Sequence, residues 1–274
     1  MAASAGPPGR LVSTWVPLRG RRLHALTSAE ALPPHAPTVV LVHGVAVSGR
    51  YLVPLAELLA PRARVYVPDL PGYGRSDRPA GGDLAVPELA DALLAWIDRM
   101  GLDRPHLLGN SFGCQVIADL AARYPERVGR LVLQGPTFDP SARSAWRQVL
   151  RWLAVAPLER SSEGPVLLRD LWDLGPCRAV DMIRKGLDDR IEVKLPSVTA
   201  PTLVVRGTRD AIVPQRWAEE ATRLLPNGRL VVLSRAAHTI NYSQPVRLLG
   251  AVWPFLTGSP IAAPADRASA AIWG

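Results

Sequence analysis

The stretch LLGNSFGCQ, residues 107–115, places Ser111 between two glycines in the pattern Gly-x-Ser-x-Gly. A short apolar segment, PHLLG, leads into it, and a helical pattern, FGCQVIADLAARYPERV (112–128), leads out of it. In a strand–turn–helix of this kind the turn presents the serine hydroxyl at the carboxyl end of a sheet. Gly109 and Gly113 lack a Cβ, so the backbone can fold tightly beside the serine. The alternative is an ordinary serine in a glycine-rich bend, and the rest of the chain has to decide.

Short apolar segments on both sides of this stretch predict buried strands. They are continuous in Val and Leu rather than alternating, as a parallel sheet covered on both faces requires. The predicted strands are TVVLV (38–42), RVYVP (64–68), PHLLG (105–109), RLVLQG (130–135), TLVVRG (202–207) and RLVVLS (229–234). Helical patterns at 86–100 and 214–225 separate them. This alternation predicts a doubly wound α/β sheet.

One interval, 138–198, contains no convincing buried strand and several helical patterns. We interpret it as a helical cap inserted into a core formed by 1–137 and 199–257, and the alternative is a long helical crossover. Its tryptophans predict either an apolar pocket wall or packing of the cap onto the core; they are Trp146, Trp152 and Trp172. The Pro-, Ala- and Ser-rich tail, 258–274, is predicted to be disordered.

Length and composition narrow the class of protein. The chain has 274 residues, of which 48% are hydrophobic, enough for one large core. It has no apolar run long enough to span a membrane and no signal-peptide pattern, which predicts a cytoplasmic protein without a membrane span. Two cysteines, Cys114 and Cys177, are too few for a disulfide scaffold and lack the spacing of a metal site.

The net charge of +8 raises the question of nucleic-acid binding. The basic residues are mostly arginines scattered along the chain, and RGRR (19–22) is the one tight cluster. Aromatic residues are not interleaved with them, as stacking on bases would require. We therefore expect a small-molecule substrate rather than a nucleic-acid partner.

A serine nucleophile needs a base and an acid that orients the base. His238 follows the last predicted strand and therefore lies at the same sheet edge as Ser111, whereas His24, His35 and His106 lack such a placement. Asp210 follows the strand at 202–207, and Asp139 competes with it because it follows the strand at 130–135. Both aspartates are candidates for the acid, and the order serine, aspartate, histidine along the chain favours Asp210.

The developing oxyanion needs two backbone donors. We expect the N–H of Phe112, directly after the serine, to be one of them. The loop HGVAVSGRY after the strand at 38–42 predicts the other, which we assign to the N–H of Val45. His43 in the same loop is expected to shape it rather than to act as a base.

The ordered segments LVHGV, PDLPGYGRSD, GNSFG, RGTRD and AAHTINYSQP resemble the α/β-hydrolase superfamily over about residues 36–257. The resemblance implies a mostly parallel eight-stranded sheet, a helical cap, and a triad of Ser111, Asp210 and His238. It also implies that the chemistry uses no metal and no organic cofactor. Haloalkane dehalogenases and epoxide hydrolases of this superfamily carry Asp at the position of Ser111, so both are disfavoured.

A serine nucleophile suits acyl transfer, and we expect a small or medium carboxylic ester as the substrate. GNSFG also resembles the nucleophile segment of the carbon–carbon bond hydrolases that cleave ring-opened aromatic compounds, although Cys114 and Thr239 stand where those enzymes usually have Gly and Trp. A third possibility, from another class, is a non-catalytic member that only binds a ligand.

Overall fold

The computed structural model describes residues 9–259, which form one eight-stranded sheet between layers of helices. The strand order is β1-β2-β4-β3-β5-β6-β7-β8. The strands are β1 (Leu11–Leu18), β2 (Arg21–Ser28), β3 (Thr38–Val42), β4 (Arg64–Pro68), β5 (His106–Asn110), β6 (Leu131–Gln134), β7 (Thr202–Gly207) and β8 (Gly228–Leu233). The last six are mutually parallel. The predicted doubly wound, mostly parallel sheet is confirmed.

Helices cover both faces of this sheet. They are α1 (Val53–Leu59), α2 (Val86–Arg99), α3 (Phe112–Arg123), α4 (Ala145–Val155), α5 (Gly164–Leu174), α6 (Pro176–Asp188), α7 (Ile191–Lys194), α8 (Gln215–Leu224), α9 (Ile240–Ser243) and α10 (Pro245–Leu256). Helices α2, α3 and α8 pack on one face, and α1 and α10 pack on the other. A sheet covered on both sides needs strands that are apolar throughout.

The central strands meet this requirement residue by residue. In β3, Val40 and Val42 belong to the core cluster under α2 and α3, while Val39 and Leu41 belong to the cluster under α1 and α10. Successive side chains of a strand point to opposite faces, so a continuous apolar run fills both cores at once. All four of these side chains have no exposed surface.

The N-terminal edge of the sheet differs from the rest. β1 and β2 form an antiparallel hairpin, and β2 pairs antiparallel with β4. These strands carry polar and charged side chains because one face of the edge is solvated.

The helix predicted at 112–128 is shorter in the structure. It ends at Arg123 because Tyr124 precedes Pro125, and a residue before proline is driven out of the helical conformation.

Four helices, α4 to α7, lie in the interval between β6 and β7. Their division from the core as a separate cap stays a prediction. Neither interpretation of Trp146 and Trp172 was right, because these side chains are 61% and 87% exposed. Trp152 is 46% exposed and lines a cavity beside His238, as the prediction of a pocket wall requires. Amphipathic spacing locates an apolar stripe on a helix without telling which neighbour, if any, covers it.

This interval is tied to the rest of the fold by polar contacts. Asp170 on α5 accepts hydrogen bonds from the backbone N–H of Ser48 at 2.7 Å and from its hydroxyl at 2.9 Å. Arg178 on α6 binds Asp83 through its Nε at 2.9 Å. Gln115 on α3 donates to the carbonyl of Gly186 at 2.8 Å. Helices α5 and α6 are therefore tied to the rest of the fold at three separate points.

The two cysteines lie in different environments. Cys114 on α3 is fully buried, and its thiol lies 3.1 Å from the carbonyl of Gly109. Burial raises the pKa of the Cys114 thiol well above its usual 9. Cys177, near the start of α6, is exposed. No disulfide joins them.

Within residues 9–259 no helix is long and apolar enough to cross a membrane. Of the predicted tail, 258–274, all but the first two residues lie outside the described residues.

Candidate active site

The three predicted triad residues follow three parallel strands at the same edge of the sheet. Ser111 comes directly after β5, Asp210 after β7 and His238 after β8. The carboxyl ends of parallel strands meet at one edge, so three segments distant in sequence converge there. The structure thus brings the predicted residues to one side of the sheet.

Ser111 occupies a strained turn. Its backbone has φ 56° and ψ −120°, in a region that residues with a Cβ rarely adopt. Its N–H donates to the carbonyl of Gln134 at 2.9 Å, which ties the turn to the neighbouring strand. A Cβ on Gly109 would lie 2.6 Å from the backbone of Gly113, and one on Gly113 would lie 2.4 Å from the carbonyl oxygen of Val42. The flanking glycines are therefore required for this turn, as the pattern predicted.

His238 and Asp210 are hydrogen-bonded to each other. His238 Nδ1 lies 2.8 Å from Asp210 Oδ2, and both side chains are buried. The other carboxylate oxygen accepts backbone N–H groups from Ile212 at 2.9 Å and from Val213 at 3.0 Å. A carboxylate held at both oxygens fixes the plane of the imidazole and keeps the proton on Nδ1.

The second ring nitrogen of His238, Nε2, is not hydrogen-bonded to Ser111. Nε2 is buried and has no hydrogen-bond partner in the described part of the chain. Burial disfavours the imidazolium, but the charge of Asp210 and its hydrogen bond favour it more, so the pKa of His238 lies above its usual 6.5. An imidazole that is neutral at Nε2 and stabilised as a cation can take a proton from a hydroxyl.

Asp139, the competing acid, has other partners. It bonds Arg151 at 2.8 Å through Oδ2, also contacts Arg216, and accepts the N–H of Ser141 at 3.0 Å through Oδ1. Burial opposes the charge, but these donors outweigh it and lower the pKa of Asp139 below its usual value. This carboxylate organises the start of the segment after β6, and its hydrogen bonds do not include His238.

The loop after β3 approaches the serine closely. A Cβ on Gly44 would lie 3.4 Å from Ser111 Cβ, so the two turns are in direct contact. Neither the N–H of Val45 nor that of Phe112 has a hydrogen-bond partner within residues 9–259. Phe112 begins α3, and the first N–H groups of a helix are unpaired and carry partial positive charge. An oxyanion requires two such donors, and the assignment of these two N–H groups to it stays a prediction.

Buried polar contacts hold this loop in place. Tyr51 accepts a hydrogen bond from the N–H of Gly44 at 2.8 Å and donates to Asn110 Oδ1 at 2.6 Å. His43 Nε2 accepts the N–H of Leu70 at 3.0 Å, and its Nδ1 lies 2.9 Å from the carbonyl of Gly44. Burial lowers the pKa of His43, which leaves it neutral.

Two residues that the sequence analysis missed support the site. Gln134 at the end of β6 accepts the Ser111 N–H, and its side chain donates to the carbonyl of His238 at 2.9 Å. Glu159, after α4, accepts the N–H groups of His238 at 2.6 Å and Thr239 at 2.8 Å. A glutamine in an otherwise apolar strand was a visible signal for the first. Nothing in the local sequence points to the second.

A cavity of about 180 Å³ lies beside His238. Helices α4 and α5 and the turns between them form most of its wall; its lining comprises Trp152, Val155, Ala156, Glu159, Arg160, Ser161, Glu163, Gly164, Leu167, Ile212, His238 and Thr239. A larger cavity, of about 440 Å³, lies between the β1–β2 hairpin and α2, and no predicted triad residue lines it. The smaller cavity is therefore the better candidate for a substrate pocket.

Family models match most of the chain. Residues 37–172 match a family described as alpha/beta hydrolase fold, and residues 168–253 match one described as TAP-like protein. A pimeloyl-[acyl-carrier protein] methyl ester esterase from Pectobacterium carotovorum is 30% identical over 76% of this chain and 89% of its own length. The chain belongs to the α/β-hydrolase superfamily.

Other relatives place this α/β-hydrolase among enzymes. A 2-hydroxymuconate semialdehyde hydrolase from Pseudomonas putida is 27% identical over 70% of this chain and 76% of its own length. The solved structure of a thermophilic esterase from Thermogutta terrifontis has a TM-score of 0.72 and 24% identity, covering 91% of this chain and 98% of that chain. The similarity to that structure concerns the fold. The relatives compared by sequence identify this α/β-hydrolase as a hydrolase.

Proposed function

We propose that the chain is a serine hydrolase that cleaves a small or medium carboxylic ester by acyl transfer. Ser111 is the nucleophile, His238 the general base and Asp210 the orienting acid. The observation that carries the proposal is the His238–Asp210 hydrogen bond of 2.8 Å together with the buried, unpartnered Nε2 on the same ring. Segment 138–198 serves as the cap over the pocket.

The reaction follows from these positions. Ser111 Oγ attacks the ester carbonyl carbon while His238 Nε2 takes the hydroxyl proton. The N–H groups of Val45 and Phe112 bind the resulting oxyanion. The C–O bond then breaks, and His238 gives its proton to the departing alkoxide, which leaves as an alcohol. Water attacks the acyl-enzyme with His238 as base again, releasing the acid and restoring the serine hydroxyl.

The strained turn at Ser111 supports the assignment of the nucleophile. Backbone strain of this kind costs about 1–3 kcal/mol and persists where the surrounding structure enforces it. Here it lifts the hydroxyl out of the sheet at the N-terminus of α3, whose unpaired N–H groups favour negative charge. An ordinary bend would have no need of this conformation.

A second candidate reaction is hydrolysis of a carbon–carbon bond. The relative from Pseudomonas putida is named for 2-hydroxymuconate semialdehyde, and Asn110 precedes the serine here as in the nucleophile segment that the sequence resembles. The cavity lining favours the ester instead. Glu159 lines it, and the negative charge of this carboxylate would disfavour an anionic ring-opened acid.

Hydrolysis of short p-nitrophenyl esters by wild type and Ser111→Ala tests the proposal. We expect turnover in wild type and its loss in the variant, with labelling of wild type alone by a fluorophosphonate. Labelling without ester turnover would direct the search to ring-opened diketone acids. Equal rates in both proteins would refute Ser111 as the nucleophile. A wild type that binds a ligand but neither turns over ester nor reacts with the probe would refute the proposal that the protein is a serine hydrolase.

A further inference from the structure

Two carboxyl groups from the segment after α4 meet one hydroxyl in the loop that carries His238. Thr239 Oγ1 lies 2.6 Å from Glu159 Oε2 and 2.7 Å from Glu163 Oε2. Glu163 is 1% exposed and Thr239 is 9% exposed, and the two distances leave no room for a water molecule between these oxygens. Both distances are those of short hydrogen bonds between oxygens.

The hydrogens available do not suffice if both carboxyl groups are ionised. A threonine hydroxyl has one hydrogen and can donate to one acceptor, and an ionised carboxylate is an acceptor only. Two carboxylates would therefore leave one buried pair of oxygens facing each other at hydrogen-bond distance without a hydrogen between them. Such a contact is strongly unfavourable in a buried site. One carboxyl group has to carry a proton.

The surroundings identify the protonated group. Glu159 Oε1 already accepts two backbone N–H groups, from His238 and Thr239, which stabilise its negative charge. Glu163 Oε1 is buried and has no partner in the described residues. Glu163 therefore holds the proton and donates it to Thr239, and Thr239 in turn donates to Glu159. Burial, with the nearby charge of Glu159, raises the pKa of Glu163 from 4.5 to about 7 in agreement.

We propose that Glu163, Thr239 and Glu159 form a proton-dependent clamp that fixes the cap segment to the loop of the catalytic histidine. Glu163 is a positioning residue, since it acts on His238 through Thr239 and Glu159. The proposal rests on the function assigned above only in its effect on catalysis. The protonation of Glu163 and the effect of the clamp on stability do not depend on the substrate.

The groups that face Glu163 determine how the clamp opens. Glu159 repels its negative charge and His238 attracts it when protonated. The hydroxyl of Tyr51 is also near, but burial raises the pKa of Tyr51 well above 10 and it stays neutral. Arg160 lines the same cavity. As the pH rises, both His238 and Glu163 lose their protons. The hydrogen bond that Glu163 donates to Thr239 is then lost.

The test compares wild type with Glu163→Gln, whose amide donates a hydrogen bond at every pH. Melting temperatures are measured from about pH 5.5 to about pH 8.5, and we expect wild type to lose about 5 °C more than the variant as the pH rises. The matched control is Glu192→Gln, which removes a cap carboxylate that pairs with Arg143. This control should follow wild type in the shape of its curve.

Kinetics on p-nitrophenyl esters test the positioning role. We expect kcat/KM of wild type to fall about tenfold between pH 7 and about pH 8.5, with an apparent pKa near 7, and this alkaline loss to be absent in Glu163→Gln. Thr239→Ser should keep the wild-type profile and Thr239→Val should lower kcat at all pH values. Parallel melting curves would overturn the protonation of Glu163 even in a protein without esterase activity. Diverging melting curves with superimposable kcat/KM profiles would overturn the positioning role.

Discussion

Gly135 offers a sharp test of the candidate site, because it lies under the His238–Asp210 pair and is not itself reactive. It follows β6 with φ +59°, and a Cβ there would lie 2.8 Å from His238 Cε1, 3.0 Å from His238 Nδ1 and 3.4 Å from Asp210 Oδ2. Ordinary contacts between carbon atoms are about 3.5 Å or longer. In Gly135→Ala the imidazole therefore has to move by roughly 0.7 Å to restore an ordinary contact distance.

The size of the effect follows from that displacement. Misplacing a catalytic group by about 1 Å can cost on the order of 100-fold in rate, so we expect kcat to fall about 10- to 100-fold in Gly135→Ala. This corresponds to about 1.4–2.7 kcal/mol of activation free energy. Alanine at a positive φ also costs about 1 kcal/mol in folding stability, which leaves the protein folded.

The matched control is Gly101→Ala. Gly101 has φ +65° and nothing within 4 Å of a Cβ, so this variant has the same backbone penalty without touching the histidine. The assay is kcat and KM on a p-nitrophenyl ester, with melting temperature measured in parallel. We expect both variants to lose stability, Gly135→Ala more than Gly101→Ala because a buried imidazole has to move, and only Gly135→Ala to lose kcat. Wild-type kcat in a folded Gly135→Ala would refute the placement of His238 as the base.

The remaining predictions concern the charged groups of the site. Asp210→Asn should lower kcat by about 10⁴-fold because the histidine loses its tautomer and its counter-charge, while Asp139→Asn should retain most activity; the opposite ranking in esterase assays would move the acid. Ser111→Ala and His238→Ala should each remove nearly all turnover with unchanged circular dichroism, and near-wild-type rates in either would exclude that residue. The acid limb of kcat/KM should report an apparent pKa above 6.5, because the pKa of His238 is raised; a limb below 6.5 would contradict this charge pairing. Glu163 favours the folded state below about pH 4.5, and this contribution of about 3 kcal/mol at most is lost as the pH rises through about 7, so denaturant titrations of wild type against Glu163→Gln should diverge over that range.

The sequence predicted those parts of the fold that depend on local pattern and chain order. Val and Leu fill both faces of β3 and β7, so their apolar runs located the strands to within a residue. Ser111, Asp210 and His238 reach one sheet edge because each follows a parallel strand, and their order along the chain was enough to select them. Their catalytic roles stay predictions until they are tested.

The parts that the sequence did not predict depend on distant contacts. Glu159 is 79 residues from His238 in the chain, and only the packing of the helical segment brings them together. Trp146 lies on α4 and Trp172 on α5, and no sequence pattern could tell that these side chains face solvent. The end of α3 is an exception, because the local residue Pro125 ends this helix and is visible in the sequence.

The contrast between the two cysteines makes the natural chain suitable for attaching a probe without mutagenesis. A maleimide reagent needs an accessible thiol, and Cys177 is exposed whereas Cys114 is buried and has a raised pKa. A dye placed at Cys177 would sit near the start of α6. Its anisotropy would then report, in real time and in a protein of unchanged amino-acid sequence, whether this part of the molecule moves when a substrate enters.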